Sequence, residues 1–141
     1  MGPEKLLCLA LAYEDPIGGA ELKETLLNYP DLCDIILIDN SKDLNSKCSS
    51  ADINISKEQA GDYAYAYNQG LNYYKEHSNK YKGIIFSNTD IQLPTPARTL
   101  TFISEGLDNK HIGMISPAIQ GDCDPRMDIE QLKEAKTGSL I

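Results

Sequence analysis

Residues 6–13 read LLCLALAY. The run carries no charge, and its apolar residues do not alternate with polar ones. Alternation marks a sheet with one wet face, whereas a short continuous apolar run marks a strand buried on both. A strand covered above and below needs helices on both faces, which points to a parallel sheet in an α/β domain. DIILID (34–39) and GIIF (83–86) have the same character. ADINI (51–55) and HIGMIS (111–116) are weaker strand candidates.

Helical patterns fill the gaps. GGAELKETLLNY (18–29) places Leu22, Leu26 and Tyr29 on one face. GDYAYAYNQGLNYYKEHSN (61–79) offers Asp62 as N-cap and a stripe of Ala64, Tyr67, Leu71 and Tyr74. TPARTLTFISEGL (95–107) opens on Pro96, suited to a first helical turn, and carries Leu100, Ile103 and Leu107. A short helical stretch is expected near 127–136. The resulting order, β-α-β-β-α-β-α-β, predicts a Rossmann-like three-layer α/β/α sandwich with a mostly parallel sheet and right-handed crossovers. The domain is expected over residues 1–120, with a polar tail over 121–141.

The 141-residue length suits one domain with its own core. A net charge of −8 argues against a nucleic-acid backbone or an anionic membrane surface as partner. It leaves room for a nucleotide bridged by a divalent cation. No apolar run approaches the length of a membrane span. The N-terminal MGPEKLLCLALAYED has the outline of a short secretory signal, but a buried strand accounts for the same run. The cysteines, Cys8, Cys33, Cys48 and Cys123, form no C-x-x-C, and a reducing, cytoplasmic setting fits them.

The polar residues fall at strand ends. The first strand runs into Tyr13-Glu14-Asp15, the second into Asp39-Asn40-Ser41, and the third into Ser87-Asn88-Thr89-Asp90. Parallel strands share one carboxyl edge, and open α/β sheets bind ligands in the crevice outside it. There is no G-x-G-x-x-G and no G-x-x-x-x-G-K-[ST], and IGGAE (17–21) is too short a glycine pattern to cradle phosphate. A hard cation held by Asp90 is the natural agent for phosphate binding.

These residues, in this serial order, resemble the nucleotide-sugar-binding half of a family 2 glycosyltransferase of the GT-A fold, rhamnosyltransferase-like. LALAYED resembles the first strand and its loop, and ILIDNSKD (36–43) the second-strand motif Asp-Asn-x-Ser-x-Asp. GDYAYAYNQGL resembles the helix motif Gly-x-x-x-Ala-x-Asn-x-Gly. IIFSNTDIQL resembles the Asp-x-Asp segment in its Asn-x-Asp variant, and IGMISPAI (112–119) a later strand. The resemblance implies a UDP- or dTDP-sugar donor, a saccharide or glycan acceptor and a Mg²⁺ or Mn²⁺ cofactor. Its parent reaction is inverting transfer to a hydroxyl, by an enzyme that is cytoplasmic or peripheral to the inner face of a membrane. By the same resemblance Tyr13 lies along the nucleotide, Asp39 accepts from the imide of the base, Asn88 faces ribose and Asp90 binds the metal.

Two departures stand out. Glu14 replaces the usual asparagine, and the family normally continues past this length with the acceptor site and catalytic base. No catalytic residue is assigned. The chain alone is expected to transfer no sugar, and an uncovered apolar flank of its sheet is expected to drive homo-oligomerisation.

Each assignment has a plainer competitor. Asp90 can be a turn aspartate ahead of Pro94 and Pro96. Asn88 can cap the turn that follows it. Asp39 can bond backbone N–H groups of its own loop. Asn68, placed by the helix stripe toward the sheet and read as nucleotide-binding, can instead bond a sheet-edge backbone group. The tyrosines of 63–74 suit packing, His77 and His111 take no role, and Asp122, Asp124 and Asp128 read as a solvated loop. Two other functions compete: a catalytically inactive nucleotide- or partner-binding module, and a receiver-like signalling domain. The second lacks the lysine it needs after IGMIS.

Overall fold

A computed structural model of the protein describes residues 2–115. Four strands, β1 (Lys5–Ala12), β2 (Cys33–Asp39), β3 (Ile53–Asn54) and β4 (Tyr81–Asn88), form one sheet in the order β3-β2-β1-β4. Every pairing is parallel. Helices α1 (Pro16–Leu27) and α2 (Tyr63–His77) connect β1 to β2 and β3 to β4, α3 (Pro96–Gly106) follows β4, and the three cover the faces. The chain is therefore a Rossmann-like α/β/α fold, as its buried strand runs predict. No helix among the described residues is long and apolar enough to cross a membrane.

The pleat explains the unbroken apolar run of β1. Leu6, Cys8, Ala10 and Ala12 point to one core with Leu22 and Leu26 of α1 and Leu100 of α3. Leu7, Leu9 and Leu11 point to the other, with Ile38 and Ala66 of α2. Successive strand side chains face opposite ways, so two cores ask for apolar residues at every position. Two thiols of the first core are held protonated: burial raises the Cys8 thiol well above its ordinary value and pushes Cys33 up to about 12.

Helix α2 sits on the sheet by a different stripe from the one its large residues mark. Ala66 and Gly70 are its buried residues, while Ala64 is exposed. A Cβ on Gly70 would lie 2.9 Å from a Leu9 methyl and 3.0 Å from the Ile38 Cδ1. The helix axis therefore approaches the sheet along its smallest residues, and Tyr67, Tyr73 and Tyr74 pack on either side. This rotation turns Asn68 outward and leaves it exposed.

Two strand expectations change. ADINI contributes only the two residues of β3. HIGMIS forms no strand over 111–115, because Asn109 captures the chain in local turns. Its side-chain Oδ1 accepts from His111 N–H and its carbonyl from Ile112 N–H, as asparagine does where it competes with regular structure. Ser116, the stretch near 127–136, the tail over 121–141 and Asp122, Asp124 and Asp128 lie outside the described residues. Among the described residues β4 pairs with β1 alone, which makes it an edge strand with Phe86 55% exposed.

Candidate functional site

The strand order places a switch point beside β1. From β1 the chain steps one way to β2 and β3, then returns through α2 to place β4 on the opposite side. The loops leaving β1 and β4 diverge there, and the gap outside the carboxyl ends at such a point is where open α/β sheets bind ligands. A cleft of about 630 Å³ occupies this place, within the range of small-molecule sites.

One wall is the β1–α1 loop, with Tyr13, Glu14 and Asp15, backed by Glu21 on α1. The other is the β4–α3 loop, with Asn88, Thr89 and Asp90. Tyr63 at the start of α2 closes one side. Among the described residues the lining holds four carboxylates, Glu14, Asp15, Glu21 and Asp90, and no lysine, arginine or histidine. Asn88 and Asp90 are exposed, and Tyr13 is 39% exposed. The structure thus brings Tyr13, Asn88 and Asp90 together in one cleft.

Asp39 and Asn68 are not part of it. Asp39 is wholly buried, and both carboxylate oxygens are engaged. Oδ1 accepts from Ser41 N–H at 2.9 Å and Oδ2 from Cys48 N–H, with Lys47 Nζ at 3.8 Å from Oδ1. Its carboxylate folds the loop after β2, which is the plainer of the two roles its position allows. Asn68 is exposed because α2 rests on Ala66 and Gly70. The next residue of the β2 loop, Asn40, accepts from Gly61 N–H through Oδ1. Gly61 has φ +94°, a conformation glycine adopts without strain. Asn40 Nδ2 is buried without a partner among the described residues.

The end of β2 therefore acts behind the cleft. Ser41, fully buried, accepts from Glu14 N–H through its Oγ at 2.7 Å. Glu14 has φ +51°, the left-handed region that costs a side chain roughly 1–2 kcal/mol. Its carboxylate belongs to the cleft lining while its backbone is held from behind.

A second tie crosses the cleft. Asp15 caps α1, accepting from Gly18 N–H through Oδ1 at 3.0 Å. Its Oδ2 accepts from the hydroxyl of Thr89 at 2.7 Å, and Thr89 is 4% exposed. On the far side of β4, Tyr67 donates its hydroxyl to the Ser87 carbonyl at 3.1 Å and packs edge-on against Phe86. Desolvation raises the Tyr67 pKa, so the hydroxyl remains a donor.

The reading of the sequence gives Ser41, Gly18, Glu21 and Tyr63 no role at the site and takes Thr89 only as part of the segment Ser87-Asn88-Thr89-Asp90. Asp15 before Pro16 is a legible helix start, but nothing in the sequence pairs it with a threonine far along the chain. No protein-family model, no curated protein and no solved structure is matched by this chain.

Proposed function

We propose that the cleft binds a nucleoside diphosphate-sugar through a divalent cation, Mg²⁺ or Mn²⁺, and that the domain is a glycosyltransferase-like donor-binding module. Asp90 is the observation that carries this. Its exposed carboxylate lines the cleft and takes no hydrogen bond or ion pair among the described residues. A turn aspartate usually bonds its own loop, and Asp90 does not.

The donor set fits a hard cation. Among the described residues every charged group in the lining is a carboxylate, and thiolate and imidazole ligands are absent from it. No group of three His, Cys, Asp or Glu among the described residues is arranged to hold a metal by itself. Mg²⁺ is suited to such a site, since it uses one or two carboxylates and completes its shell with phosphate oxygens and water. The cation supplies neutralisation of charge on the departing diphosphate. Without it, four carboxylates repel the ligand. Asn88 offers an amide to a ribose hydroxyl, and the Tyr13 ring offers a face along the nucleoside.

UDP and dTDP as carriers, and a saccharide or glycan acceptor, are carried over from the family resemblance; Asp39 is given no part in choosing the base. Calorimetry of UDP and dTDP with Mn²⁺, Mg²⁺ or chelator tests the proposal. Binding should require the cation and should fall at least tenfold in Asp90→Ala. Equal affinity with and without chelator would refute the metal role.

A further inference from the structure

We infer that Asp15 is the positioning residue of the cleft: one carboxylate sets the separation of its two walls, and Gly18 exists to admit it. The inference rests on the cleft being the ligand site. The two walls come from loops whose tied residues lie 74 positions apart in sequence, and among the described residues no other side-chain hydrogen bond joins them. Asp15 Oδ1 is fixed on the first turn of α1 by Gly18 N–H. Its Oδ2 takes the hydroxyl proton of Thr89. Thr89 lies between the two outward residues Asn88 and Asp90, so holding its buried hydroxyl fixes the backbone that carries both.

The glycine completes the case. A Cβ placed on Gly18 overlaps the Asp15 carboxylate. The first glycine of IGGAE is therefore explained by neither a phosphate loop nor a turn. Its φ is not in the left-handed region, and what it provides is room. The carboxylate folds over the helix start and so reaches across to β4. Asp15 needs no contact with ligand to act in this way.

Three variants break the tie from different sides. Thr89→Val removes the hydroxyl and keeps the shape. Asp15→Asn keeps the size and weakens both bonds. Gly18→Ala leaves both partners in place but displaces the carboxylate. The cap it costs is worth about 1 kcal/mol, and the alanine returns a similar amount in helix propensity. The fold should therefore persist in Gly18→Ala.

The test titrates each variant with Mn²⁺ and UDP and follows amide hydrogen exchange over residues 13–15 and 88–92. Positioning residues around metals typically change affinity 10–100-fold. Each variant should bind the Mn²⁺–UDP pair about tenfold more weakly, with unchanged exchange in α2. Thr89→Val combined with Gly18→Ala should be no weaker than either alone, because both remove one tie. Wild-type affinity in Thr89→Val and Gly18→Ala, or additive losses, would overturn the inference. If the wild-type protein binds neither probe, the nucleotide reading fails, and exchange decides the tie. Faster exchange on both walls in each variant supports it, and unchanged exchange overturns it.

Discussion

Replacing Asp39 by asparagine distinguishes a carboxylate that folds a loop from one that waits for a nucleobase. The side chain is fully buried, and its two oxygens accept from Ser41 N–H and Cys48 N–H. An amide of the same shape retains one acceptor and turns an NH₂ group toward the other N–H. Whichever way it flips, one backbone donor is left facing a donor. A hydrogen bond to a charged group is worth about 1.5–3 kcal/mol, and stranding a buried donor costs about 1–3 kcal/mol. The two overlap, so the expected loss is about 2–4 kcal/mol. With a urea slope of about 1–3 kcal/mol/M, the unfolding midpoint should fall by about 1–2 M. Equilibrium urea denaturation followed by circular dichroism measures this directly. A midpoint within about 0.3 M of wild type, corresponding to well under 1 kcal/mol, would refute the anchoring role. Lost UDP affinity at an unchanged midpoint would restore the nucleobase role.

Glu14→Gly should raise stability by up to about 1.5 kcal/mol, since relief of left-handed strain of roughly 1–2 kcal/mol is set against glycine's entropic cost of about 0.5–1 kcal/mol. Scanning calorimetry should show a melting point a few degrees higher, and a lower one would contradict the strain. Gly70→Leu should destabilise by about 2–3 kcal/mol by overpacking against Leu9 and Ile38. Helix propensity alone would favour the leucine by close to 1 kcal/mol, so a stabilised variant would show that α2 does not rest there. Asp34 accepts from Lys5 and from the Tyr81 hydroxyl. Desolvation raises its pKa, but these two bonds together with the charges of Lys5 and Lys80 outweigh it and hold the carboxyl below its ordinary value. A depressed folded-state pKa gives stability that is present above the unfolded value of about 3.9 and lost as pH falls through the folded one. Asp34→Asn should therefore lower the melting point at pH 7 and not below the folded-state pKa; an equal deficit at both would refute the ionic origin.

Strands that bury both faces announce themselves, because two cores demand apolar residues at every position. That is why β1 and much of β2 were legible in sequence; β4 shows the same kind of apolar run, although as an edge strand among the described residues it is mostly half-buried. The start of α3 was legible at Pro96, whereas the 18–29 pattern began α1 two residues late and passed over the Asp15-Pro16 start. The buried stripe of α2 was not, because its contact is made by Ala66 and Gly70, which carry little hydrophobic signal, and the tyrosines beside them carry much. Asn68 was misplaced for that reason alone. The position of Asp39 at a strand end was equally visible, but its duty was not. A strand-end carboxylate that binds its own loop and one that binds a ligand have the same sequence. Tyr13, Asn88 and Asp90 converge because parallel strands share an edge, which topology guarantees once the strands are known.

The order of the sheet also sets a timetable for synthesis. The residues that tie the loops after β1 and β4 together are 74 positions apart. At about 5–20 residues per second, β1 waits about 4–15 s for β4 to leave the ribosome. Through that interval the most apolar strand of the protein has β2 on one side and an open edge on the other, the condition that invites pairing with another chain. The cleft has only one wall until β4 arrives. Its assembly therefore waits for β4, and a ligand that needs both walls can hold only a chain in which β4 has joined β1.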